Sequence, residues 1–239
     1  MAHSRMTDKN QLKKKISSMR DLTEEVAESP KAKKVHGLRI MTRQLRAGTW
    51  LLEKQKATLD FDPKETKKTL KKLGRKLGKS RELDVLKKDS KIYSFKDKKI
   101  DNQGDKINRK LQKTLTKKFR QNLEKDLGVI AQHWRVPPPP EIRRIREKIL
   151  LAIKKWPEEF PQDKSALHRI RIDAKKMIYR LELLGEHNQD LKDLQRHLGR
   201  VHDLEILEKK FSSKKEVHRA LKQHLWKARA SYYRILDKF

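Results

Sequence analysis

The chain contains no cysteine. That excludes a disulfide framework, a thiolate metal site and a cysteine nucleophile. Glycine and proline are scarce, at eight each in 239 residues, and valine (7) is far rarer than leucine (30). This balance favours helix over sheet. No apolar run approaches the roughly 18 residues of a membrane span. Residues 1–15 are polar and basic with no apolar core, so no secretory signal is expected and the default compartment is the cytoplasm. Acids are the other shortage. Asp and Glu number 32 against 63 Lys and Arg, a net charge of +31. Holding that charge on one body costs self-repulsion, which a bound polyanion would relieve.

What is present argues for a folded chain. Leu, Ile, Val and Phe number 30, 15, 7 and 6, about a quarter of the residues. That exceeds the roughly 20% below which a charged chain stays disordered. The apolar positions recur at helical spacing. They predict helices near 8–29, from Pro30 to about Ala57, from Pro63 through Leu86, and near 104–134, with a loop over 89–104. Pro137–Pro140 then interrupts the chain. Four more helices are expected: from Pro140 to near Trp156, around Leu167–Leu184, near 188–211 and near 213–237. Short connections favour antiparallel neighbours. The expectation is an all-α fold of eight main helices in one domain over 1–239. It would comprise two four-helix bundles, 8–136 and 137–239.

The two halves repeat each other. His36-Gly-Leu-Arg39-Ile-Met-Thr-Arg43-Gln-Leu-Arg46 matches His168-Arg-Ile-Arg171-Ile-Asp-Ala-Lys175-Lys176-Met-Ile. Leu77-Gly78-Lys79-Ser-Arg81-Glu82-Leu83-Asp84 matches Leu198-Gly199-Arg200-Val-His202-Asp203-Leu204-Glu205 in the helix that follows. Two motifs in the same order suggest an internal duplication with pseudo-two-fold symmetry. Steps of 3, 4 and 3 put His36, Arg39, Arg43 and Arg46 on one helical stripe. His168, Arg171 and Lys175 repeat its first three positions. Lys68, Lys72, Arg75 and Lys79 form another stripe, as do Lys192, Arg196 and Arg200. Like charges three or four apart destabilise a lone helix by a few tenths of a kcal/mol per pair, and several helices accept that cost.

Other residues carry plainer readings. Glu82, Asp84, Asp203 and Glu205 are expected to pair with Arg81 or nearby lysines, without catalytic work. Trp50 reads as core, and Gly78 and Gly199 as tight packing or a kink. His36 and His168 suit hydrogen bonding to an anionic oxygen. Neither has a second ligand at metal spacing, and His197 and His202, five apart, are off one helix face. No metal and no cofactor are expected.

The doubled His-x-x-Arg-x-x-x-(Arg/Lys) and Leu-Gly-x-x-(Arg/His)-(Glu/Asp)-Leu-(Asp/Glu) pattern resembles the CHAD family, the conserved histidine α-helical domain. The resemblance implies two pseudo-symmetric four-helix bundles that bind inorganic polyphosphate and can associate with polyphosphate granules. It implies anion-facing roles for His36, Arg39, Arg43, Arg46, His168, Arg171, Lys175 and Lys176. Arg75, Lys79, Arg196 and Arg200 would join them, with Lys68 and Lys72 on the same stripe. The family commonly has Arg where this chain has Ile178, which shortens the second stripe. No Glu-x-Glu-x-Lys tunnel motif is present, so the chain reads as a stand-alone module.

Three functions follow in order. The first is non-catalytic polyphosphate binding along a basic track, with sulfate or phosphate ions as mimics. The second is nucleic-acid binding through the same surface. The stripes offer few aromatic platforms for it, and RNA or DNA would be weaker polyanions. The third, an enzyme acting on phosphoanhydrides, would need carboxylates holding Mg²⁺ or a P-loop. The stripes lack acids, and no P-loop sequence occurs.

Overall fold

A computed structural model describes residues 9–54, 62–95, 98–135, 137–211 and 214–238. Among these the chain is helical, with no strand. The α-helices are α1 (Lys9–Glu28), α2 (Ala32–Lys54), α3 (Lys64–Ile92), α4 (Lys98–Thr114), α5 (Lys117–His133), α6 (Pro139–Leu150), α7 (Lys164–Leu183), α8 (Gln189–Phe211) and α9 (Lys215–Leu236). A short 3-10 turn, Ile153–Lys155, follows α6. The end expected for the second helix, Ala57, lies outside the described residues.

Among the described residues nine α-helices stand where eight were expected, because the long helix near 104–134 is two. Thr116 breaks it. Its side chain accepts a hydrogen bond from the Phe119 amide at 3.2 Å, which caps the start of α5. Arg120 Nη1 donates to the Leu115 carbonyl at 2.9 Å, satisfying a group freed by the break. The expected loop over 89–104 is also shorter than the sequence implied. α3 runs to Ile92, and α4 begins at Lys98 with Ile100 buried. The helix from Pro140 stops at Leu150, ahead of the 3-10 turn.

The chain forms two compact units, Met1–Lys87 with Asp97–Val136, and Lys88–Lys96 with Pro137–Phe239. In the first, α1 packs on α2, α4 and α5. Leu12, Met19, Val35, Leu38, Leu45, Leu70, Leu73 and Leu77 are fully or almost fully buried. α2 and α3 approach closely at Thr42, whose Cγ2 lies 3.6 Å from the Cβ position at Gly74. In the second unit, α6 packs on α7, α7 on α8 and α8 on α9. Tyr232 of α9 is fully buried and stacks on Trp156 at 5.6 Å. Its hydroxyl donates to the Pro157 carbonyl at 2.5 Å, fixing α9 against the 3-10 turn.

The last turn of α3 and the residues that follow it belong to the second unit. Asp89 is buried and pairs with Arg200 of α8. Lys214 Nζ donates to the carbonyls of Tyr93 (2.8 Å) and Ser94 (3.2 Å). Phe95 stacks on Phe211, ring centroids 4.8 Å apart.

Candidate functional site

In the first unit, His36, Arg39, Arg43 and Arg46 of α2 each follow a buried residue, Val35, Leu38, Thr42 and Leu45, so the stripe borders the core face of the helix. His36 is exposed and the three arginines are half-buried. The facing strip of α3 is Gly74, Gly78 and Arg81. A methyl group on Gly78 would stand 3.9 Å from Arg39 Nη2, and one on Gly74 would stand 3.9 Å from Arg46 Nη1. The glycines therefore make room for two guanidinium groups laid against α3. The expected role of Gly78, tight packing of helix on helix, takes this more specific form.

Electrostatics follow from that packing. Burial, then the charges of Arg81, Arg39 and Arg43, pull the His36 imidazole below its ordinary range. Burial, then Arg43 and Arg75, pull Arg46 below its own. Arg46 Nε is buried and accepted by no oxygen. The charges acting on these two groups are all positive, so a neutral His36 is favoured.

In the second unit the matched sequence motifs gather a different set of side chains. His168 on α7 faces His202 on α8, ring centroids 5.6 Å apart. Arg171 Nη2 lies 3.3 Å from His168 Nδ1, a contact that needs that nitrogen unprotonated. Burial, then Arg171, His168 and Lys175, push His202 down to about 4. Burial, then Arg171 and Lys175, lower His168, and Glu205 opposes them. Gly199 does not receive an arginine. Its nearest neighbour is Gln195 Nε2, 3.3 Å from the Cβ position.

The other predicted residues are placed as follows. Arg75 is exposed and reaches Arg46 with its charge. Lys68, Lys72 and Lys79 are exposed, and Lys68 pairs with Glu65 at 2.6 Å. Lys176 is exposed and pairs with Asp173 at 2.9 Å, and Arg196 pairs with Asp193 at 2.8 Å. Arg200 is held by Asp89, and its Nη2 lies 3.5 Å from the Tyr93 hydroxyl. Burial opposes the Arg200 charge, but Asp89 and Tyr93 more than offset it. Ile178 is buried, so the second stripe ends in the core. Among the acids, Glu205 pairs with Lys164 at 3.4 Å. Burial raises the Asp84 carboxyl, while Arg81 and Lys87 pull it down.

Two residues of the clusters, Arg81 and His202, carry no anion-facing role in the sequence reading. Arg81 and His202 occupy the same place in the second repeated motif, three residues after Gly78 and Gly199. That shared place was the available signal. His197 meets a different partner, His224, with Nδ1 atoms 3.0 Å apart. No group of three metal-ligating side chains occurs among the described residues. No described helix is long and apolar enough to cross a membrane.

The family model for the CHAD domain matches residues 10–207. The crystal structure of the CHAD domain from the plant Ricinus communis is similar, with a TM-score of 0.66 and 17% identity. That match covers 97% of this chain and 93% of the other. PptA from Streptomyces chartreusis is also similar in fold, with a TM-score of 0.52 and 13% identity over 96% of each chain. No curated protein matches. The protein is therefore a member of the CHAD domain family.

Proposed function

We propose that this protein binds inorganic polyphosphate without catalysis. The two clusters would be His36, Arg39, Arg43, Arg46, Arg75 and Arg81, and His168, Arg171, Lys175 and His202. The observation that carries the reading is the crowding of cations in each unit. Burial first, and then the positive charges around them, lower the proton affinity of Arg46, His36 and His202. An arriving polyanion would offset the part that those charges contribute. Arg forks suit bidentate contact with phosphate oxygens, and Lys175 supplies an adaptable point charge. A chain long enough to engage both clusters gains affinity through effective concentration. Lys68, Lys72, Lys79, Lys176, Arg196 and Arg200 stand outside this inner set. The exposed members would add unspecific attraction, and Arg200 would act through the fold. In a cell the protein would be cytoplasmic and associate with polyphosphate granules.

The test is a pair of quadruple variants. Alanine at Arg39, Arg43, Arg171 and Lys175 should weaken polyphosphate binding at least tenfold more than alanine at Lys13, Lys106, Lys148 and Lys154, which are exposed. Equal losses would mean that only bulk charge matters. Release of phosphate from polyphosphate by the purified protein would overturn the non-catalytic reading.

A further inference from the structure

The exposed face of α9 carries a feature that polyphosphate binding does not use. Trp226 is 69% exposed, whereas Trp134 and Trp156 are buried. Lys215, Arg219, Lys222, Trp226, Arg229 and Tyr233 follow at steps of 4, 3, 4, 3 and 4. Those steps form one stripe along about 27 Å of helix. Lys215, Arg219, Lys222 and Arg229 are exposed, and Tyr233 is half-buried. The Arg229 guanidinium lies 5.7 Å from the Tyr233 ring centre, which orders one flat cation of the stripe. The opposite face of α9 is spent in the core through Val217, Ala228, Tyr232 and Ile235.

We propose that this stripe binds single-stranded nucleic acid, with a base stacked on Trp226 and flanking phosphates on Arg219, Lys222 and Arg229. Alternation of cations with an exposed ring matches a strand that alternates phosphates with bases. Polyphosphate has no ring to stack, so it gives the indole no partner. A helix lying on a membrane would need a broad apolar face. Here one indole stands among four cations, and the apolar residues of α9 point into the core. The surface is distinct from the α7–α8 cluster and uses none of its residues.

The test measures binding of a fluorescein-labelled oligouridylate of about 12 nucleotides by anisotropy. Trp226→Ala should weaken binding about 5- to 150-fold, the range of one lost base–aromatic stack. Trp226→Phe should recover most of that loss. Affinity for polyphosphate, and for an abasic oligomer of equal charge, should change less than about twofold in either variant. Unchanged oligouridylate binding in Trp226→Ala overturns the proposal. So does an equal loss for the abasic oligomer, which would reduce the stripe to charge alone. A Trp226 emission shift with phosphatidylglycerol vesicles and none with oligouridylate would assign the stripe to a membrane instead.

Discussion

Arg200 shows how position in a sequence and position in a fold can part. It falls on a basic stripe four residues after Arg196, yet it is tied to Asp89, 111 residues away. Only tertiary packing brings that carboxylate to it. The Asp89 side chain is 4% exposed. Removing the charge from one member of such a pair leaves the other buried and unmatched, at a cost of about 3–5 kcal/mol. Asp89→Asn should therefore lower unfolding stability in urea by about 3 kcal/mol or more. Arg200→Ala should behave similarly, while Arg196→Ala should stay within about 0.5 kcal/mol. A stable Arg200→Ala with impaired polyphosphate binding would return Arg200 to the ligand site. His202 makes a second prediction. Its folded value of about 4 lies below the ordinary value of 6.5. The unfolded chain then takes the proton first, so its contribution is intact above pH 6.5 and is lost as pH falls toward 4. Urea melts at pH 7.5 and 5 should show a smaller acid loss in His202→Gln than in the wild type. Bound polyphosphate should reverse the sign for this group, with proton uptake on binding near pH 6.

At the scale of elements, most helices were legible because their apolar residues keep a 3.6-residue period and proline marks several starts. The division of α4 from α5 was not. Leu111, Leu115, Leu123, Leu127 and Ile130 are buried on both sides of it, so the apolar rhythm runs on across a capped break. Thr116 is the only local sign. Thr116→Ala should cost about 1 kcal/mol, read as a shift in the urea midpoint with unchanged slope. The start of α4 was hidden for the opposite reason: Lys98–Gly104 offers one aliphatic residue, Ile100. Gly78 carries a more delicate prediction. Alanine there meets Arg39 Nη2 at an ordinary 3.9 Å and gains up to about 1 kcal/mol of helix propensity. Gly78→Ala should thus raise stability and leave polyphosphate affinity intact. Gly78→Leu should displace Arg39 and weaken it.

For the whole molecule, charge sets the behaviour. The net charge of +31 predicts that added salt raises the melting temperature of the free protein by screening self-repulsion. Polyphosphate should raise it further at low salt, and that gain should shrink as salt rises. With about 8 phosphate contacts, log affinity should fall against log salt with a slope of roughly −6. A flat response would remove counterion release from the mechanism. The basic rows and their repetition were readable from sequence spacing. Which cations are gathered was not, because Arg81 and His202 join the clusters only when successive helices pack.

The nine residues Lys88–Lys96 have a consequence for how this protein can be divided. The motifs repeat on either side of Pro137–Pro140, which invites severing the gene there. The downstream fragment would then lack the acid that neutralises Arg200, the ring against Phe211 and the carbonyls that receive Lys214. Repetition in the text of the chain is not modularity in folding. The second repeat borrows a piece of the first, so neither is a transferable part. An expressed 137–239 fragment should regain a cooperative melt only when a peptide spanning 88–96 is supplied.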